Sequence, residues 1–131
     1  MRVSTESNSR VDPRIIIAVA ALIAVLFYLL VSAVIFRVGF PLDDTWIHLT
    51  YARNLADHGE WAFRLGERSS GSTSPLWTFL LSIGFVLKLA PYIWTYFLGW
   101  VLLALLGIQG ETITRQLVTA YKHNFIPFFY I

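Results

Sequence analysis

Apolar and charged residues fall in long blocks along this chain. Residues 15 to 36 carry no charge and are bounded by Arg14 and Arg37. At about 1.5 Å per residue, a helix of these 22 residues matches the ~30 Å hydrocarbon core of a bilayer. Val31-Ser32-Ala33 would suit a signal-peptide cleavage site, but the apolar run continues through Val34-Ile35-Phe36. That exceeds the usual signal-peptide core and favours an uncleaved span. A second block covers residues 75 to 90, with Ser74 as N-cap and Pro75 as first helical residue. Lys88 stands near its end, where a long stem can snorkel to headgroups. Pro91 breaks the pattern, and residues 92 to 109 form a third block. Its aromatics Tyr92, Trp94, Tyr96 and Trp100 cluster early, as in an interfacial belt, and Gly107 and Gly110 mark its end. Both blocks are short, so a tight hairpin of two spans is expected, with a re-entrant pair as the alternative.

The flanks are simpler. Residues 1 to 14 read as a polar tail. Within residues 110 to 131, Ile113, Leu117 and Tyr121 recur every four positions, and Glu111 precedes Arg115 by four. This predicts a modest amphipathic helix at the interface, followed by an apolar aromatic ending. The expected architecture is an all-α integral membrane protein with about three transmembrane helices. One extracytoplasmic loop would hold a juxtamembrane helix.

Composition agrees with that reading. Of 131 residues, 56% are hydrophobic and only 14% charged, and mean hydropathy is +0.63. A soluble domain carries nearer a quarter charged residues, so a lipid bilayer is the first expected partner. Disorder is excluded because so apolar a chain must bury its surface. The absence of cysteine removes disulfide scaffolds, thiolate metal sites and cysteine nucleophiles. With net charge +2 and scattered basic residues, nucleic acid is not an expected partner. Charge bias alone does not fix orientation, although Arg10 and Arg14 lean towards a cytoplasmic N-terminus.

Residues 37 to 74 form the sizeable polar region and hold five of the eight acids. Asp43-Asp44 lie just after the expected membrane exit, where adjacent carboxylates repel and lose solvation. A metal, a substrate or a helix N-terminus can compensate them, so capping and a functional site both fit. The next segment, Thr45 to His58, reads as a helix ending at Gly59 and without a clean polar face, hence one packed over the bundle. Asp44 and His48 are spaced to share a metal or a proton. Arg53 could pair with Asp57 or bind phosphate. Beyond Gly59, residues 60 to 63 read as extended, with a turn at Leu65-Gly66. The hydroxyl-rich run from Ser69 to Ser74 fits either an anion site at a helix start or a solvated loop.

Taken in order, Asp43-Asp44-Thr45-Trp46-Ile47, Tyr51-Ala52-Arg53-Asn54-Leu55, Gly59, Gly66-Glu67 and Gly71-Ser72-Thr73-Ser74-Pro75-Leu76-Trp77 resemble one region of polytopic glycosyltransferases. The similarity is to the GT-C class, near its bacterial arabinofuranosyl- and mannosyltransferase-like members, and covers residues 41 to 77. It implies transfer of a sugar from a polyprenyl-phosphate donor to an acceptor hydroxyl outside the cytoplasm, with inversion. It also places the polar loop outside the cell membrane and the N-terminus in the cytoplasm.

On that resemblance Asp43 or Asp44, with Asp44 favoured, takes the acceptor proton, and Arg53, Arg68, Ser72 and Thr73 steady the leaving phosphate. The reading assigns no cofactor, and a divalent metal at Asp43, Asp44 and His48 stays an alternative. The chain departs from the family in having Arg64-Leu65 where relatives commonly have Asn-Pro. It also offers about three spans where the family has on the order of ten. The expectation is therefore the N-terminal part of such an enzyme, truncated or a fragment, and too short to be active without the remaining helices of a longer transferase. A small non-catalytic membrane subunit or an inactive remnant is the competing reading. A transporter fragment is disfavoured, because the second and third blocks hold no ionisable residue besides Lys88.

Overall fold

The computed structural model describes residues 11–35, 39–40 and 43–125, with side chains as far as Tyr121. Its elements are α1 (Pro13–Ile35), α2 (Asp44–His58), β1 (Ala62–Arg64), β2 (Glu67–Arg68), α3 (Pro75–Val86) and α4 (Pro91–Phe125). The fold is mostly helical, with one small antiparallel hairpin in which Ala62 faces Arg68 and Arg64 faces Glu67 across a bulge. The described residues form two compact units, one of residues 26–99 and one joining the residues up to 25 with those from 100 onward.

In the first unit α2 packs along α3 and against β1. Their shared core is small: Leu49, Ala52, Leu81 and Leu98 are buried, with Phe40, Trp77, Leu80, Phe85 and Trp94 packed around them. Close approach is what makes it work. A methyl group on Gly84 would overlap the indole of Trp94, whose Nε1 donates to the Leu80 carbonyl at 2.9 Å. Helix α2 ends as expected at Gly59, which is left-handed with φ 68°, its N–H bonded to the Leu55 carbonyl at 3.0 Å.

Helix α3 begins at Pro75 as expected, yet Ser74 caps it only by position, with no side-chain hydrogen bond to the first turn. It stops at Val86, short of the expected end at residue 90. Lys88 is left-handed with φ 55°, its N–H bonds the Phe85 carbonyl, and the Leu89 N–H bonds the Gly84 carbonyl, both at 2.9 Å. This pair of bonds is the Schellman closure, made here with lysine where glycine is usual. At 12 residues α3 is about 18 Å long, well under a bilayer core.

The second unit pairs the start of α1 with the later part of α4, antiparallel. Trp100 Nε1 donates to the Ala18 carbonyl at 3.0 Å, and a methyl group on Gly107 would stand 2.7 Å from Ile17 Cγ2. Asp12, Pro13 and Arg14 share a cleft with Glu111, Thr112, Arg115 and Gln116. The expected boundary between residues 92–109 and 110–131 is absent: α4 runs unbroken through Gly107 and Gly110. Gly107 serves helix approach, not termination. The expected Glu111–Arg115 ion pair is formed.

Helices α1 and α4 are long and apolar enough to cross a membrane, with mean hydropathies of 3.0 and 1.6. Along α1 only Ala21 is buried, while Ile15, Ile23, Phe27, Leu30 and Val34 are each more than half exposed.

Two substitutions read this packing in opposite directions. Gly84→Ala should lower stability by about 1–3 kcal/mol through overpacking. Lys88→Gly should raise it by about 1 kcal/mol by relieving the left-handed lysine. Thermal unfolding of the purified chain in detergent should show a melting point lowered by the first and raised by the second.

Candidate functional site

One broad face of α2 organises the polar loop. His48, Tyr51 and Asn54 recur every three residues on that face, and all three are buried. Helical spacing thus turns three polar side chains towards the segment from 62 to 78. Asn54 Nδ2 donates to the carbonyls of Ala62 at 2.8 Å and Phe63 at 3.1 Å, fixing β1. The Tyr51 hydroxyl lies 2.5 Å from Ser69 Oγ and accepts the Gly71 N–H at 2.9 Å. His48 Nδ1 lies 3.1 Å from both Ser72 Oγ and Thr78 Oγ1, which are 2.7 Å from each other. This triangle is closed and buried, with Thr78 fully inaccessible. Burying such groups is tolerable because each finds a partner.

At the start of α2, Asp43 is the N-cap. Its Oδ1 accepts the Asp44 N–H at 3.1 Å, and its carbonyl accepts the Trp46 N–H at 2.9 Å. Asp44 is exposed in the first turn, and among the described residues its carboxylate makes no hydrogen bond or ion pair. Trp46, two positions on and on the opposite side of α2, belongs to an aromatic wall. Phe40 stacks on Tyr92 with ring centroids 4.9 Å apart and meets Trp46 edge-on at 5.3 Å, while Trp46 is 49% exposed. Tyr96 joins the same wall and donates its hydroxyl to the Gly39 carbonyl.

The residues singled out in the sequence are therefore dispersed. Asp43 and Asp44 stand together at the helix start. His48 and Ser72 come together, but in the buried triangle, so the Ser72 hydroxyl is spent on Thr78 and His48. That leaves Ser72 ill placed to meet a phosphate and turns His48 Nδ1 away from a metal. Among the described residues no group of three His, Asp or Glu side chains could hold a metal ion. Arg53 is exposed, half a turn out of phase with Asp44 and about 14 Å further along α2, so the two do not converge. It makes no ion pair with Asp57, since the one ion pair among the described residues is Glu111–Arg115. Thr73 is exposed.

Arg68 lines an open cleft of about 570 Å³ with Gly59, Glu60, Trp61, Ser69 and Ser70. Sequence reasoning missed the roles of Tyr51, Asn54 and Thr78. The three-residue polar recurrence along α2 was the available signal for the first two, whereas nothing local marks Thr78. Comparison of the chain with protein-family models, with curated proteins and with solved structures finds no match.

The polar stitching predicts graded losses. Asn54→Ala strands two carbonyls of β1 and should cost about 2 kcal/mol. Thr78→Val keeps the shape of the side chain and removes one apex of the triangle, costing about 1 kcal/mol. Melting points in detergent should fall in that order, and equal or negligible shifts would contradict the assignment.

Proposed function

We propose that this chain is the N-terminal part of a polytopic glycosyltransferase of the GT-C class. Its substrates are a polyprenyl-phosphate sugar and an acceptor hydroxyl on the extracytoplasmic side of the cell membrane. The observation that carries the proposal is that the segments bearing the resemblance are stitched to one another. His48 and Tyr51 of α2 bond the Ser69–Ser72 run, Asn54 bonds β1, and Thr78 follows directly on the Gly71–Trp77 motif. A shared hydrogen-bond scheme is what a functional motif spread over some 35 residues requires.

Within it Asp44 is the general base. Asp43 is engaged at the helix cap, while the Asp44 carboxylate remains open. The acceptor oxygen attacks the anomeric carbon as its proton passes to Asp44, and the bond to the polyprenyl phosphate breaks on the opposite face. In the complete transferase, Asp44→Asn should reduce transfer in native membranes by about 10²–10⁴-fold, with insertion and yield unchanged. Full activity in that variant would remove Asp44 as base. Absence of any transfer from the complete unaltered protein, with the remaining helices present, would favour the non-catalytic subunit.

The membrane reading rests on the exposed apolar surface of α1 and on the lengths of α1 and α4. We assign two crossings to the described chain, α1 outward and α4 back, with α3 too short to cross. This supplies one span fewer than the apolar blocks lead one to expect. The antiparallel pairing of residues 12–14 with 111–116 supports it. The native chain has no cysteine, so single introduced thiols report cleanly. An impermeant maleimide on intact cells should label Leu65→Cys, but should label Val11→Cys and Thr114→Cys only after permeabilisation. Labelling of Thr114→Cys from outside would restore three crossings.

A further inference from the structure

The cleft around Arg68 has a chemistry of its own. Its volume of about 570 Å³ falls within the ~300–1,000 Å³ usual for small-molecule sites. The walls are held in place. Gly59 turns the chain out of α2, and Glu60 Oε2 accepts the Gly66 N–H at 2.8 Å. Ser69 is tied to Tyr51, and Trp61 packs at a tilt on the Tyr51 ring, centroids 5.7 Å apart. Trp61 is half-buried, so its indole is braced by Tyr51 while part of it faces the opening. Arg68 is exposed and makes no ion pair among the described residues.

One indole surface, one guanidinium, one carboxylate and two serines make a particular donor and acceptor set. The two charges cancel, and a phosphate entering the cleft would be repelled by the Glu60 carboxylate as well as attracted by Arg68. A neutral ring carrying several hydroxyls suits the set better. Its C–H face can lie on the indole, while the guanidinium donates to its hydroxyl oxygens and the carboxylate accepts their protons.

We infer that the Trp61–Arg68 cleft binds an uncharged sugar residue of the acceptor. Trp61 is the stacking surface, and Glu60 and Arg68 are the hydrogen-bonding pair. This rests on the transferase reading and moves Arg68 from the donor phosphate to the acceptor. Glu60, Trp61 and Ser69 are already held, so binding has chiefly the Arg68 side chain to order.

Saturation-transfer NMR on the full chain in detergent tests the inference, with methyl hexopyranosides and methyl pentofuranosides as probes. Transfer from the protein to at least one glycoside is expected. Arg68→Gln should weaken its binding about tenfold, Trp61→Ala should abolish it, and Trp61→Phe should retain it within a few fold. The exposed position of Arg68 makes its variant a fair test even where Trp61→Ala disturbs folding.

No transfer to any glycoside, or binding indifferent to Arg68→Gln and Trp61→Phe alike, would overturn the inference. So would displacement of the glycoside by inorganic phosphate in an Arg68-dependent manner, which would mark an anion site. Glycoside binding by this chain, with no sugar transfer by the complete protein in membranes, would instead count against the transferase reading and leave the cleft standing. Asp44-dependent transfer from a protein that binds no glycoside would do the reverse.

Discussion

The arrangement of the whole loop depends on one polar stripe, His48, Tyr51 and Asn54 of α2. The segment from residue 62 to residue 72 has little apolar surface of its own to bury, and its hairpin has only three and two residues in its strands. Such a hairpin is marginal when isolated, and each ordered residue loses about 1–2 kcal/mol of backbone freedom. The compensating bonds come from outside it, through Asn54 to the carbonyls of β1, Tyr51 to Ser69 and Gly71, and His48 to Ser72 and Thr78. Each is worth about 1 kcal/mol net, but a buried polar group left alone would cost more than that. The stripe therefore acts as a set: the loop is held when all its members are satisfied. Leu49 and Ala52, on the same broad face, seat α2 on Leu81 and so give the stripe a rigid base.

Local signals were readable and nonlocal ones were not. The long uncharged run of α1, the stop of α2 at Gly59, the start of α3 at Pro75 and the Glu111–Arg115 pair all follow from residues within one or two turns. The end of α3 did not follow. A left-handed lysine closes it, and nothing about Lys88 in sequence distinguishes a closing residue from a snorkelling one. Gly107 and Gly110 looked like a helix end for the same reason, because a glycine that lets a neighbouring helix approach reads like one that stops its own. His48 and Ser72 were noticed separately, as a metal ligand and a phosphate contact. Their actual partners are each other and Thr78, 24 and 30 positions from His48, beyond the reach of spacing arguments.

The proposed function divides these residues into supports and reactants. The supports are buried and mutually bonded. The reactants are Asp44 at the start of α2, Glu60 and Trp61 in the turn that follows it, and Arg68 on β2, with Trp61 packed on Tyr51 of the stripe. On this view α2 carries the base at its start and fixes the acceptor cleft at its end, so that one rigid helix sets the relation between them.

The dependence of the loop on the stripe can be read directly from amide hydrogen exchange at Gly71, whose N–H donates to the Tyr51 hydroxyl. Tyr51→Phe removes that hydroxyl and keeps the ring. Gly71 should be protected in the unaltered chain and exchange about tenfold faster in the variant, as loss of this part-buried hydrogen bond implies, with the amides of α2 and α3 unchanged. A Gly71 amide that exchanges freely in the unaltered chain, or is as well protected without the hydroxyl, would contradict the claim that α2 holds the loop.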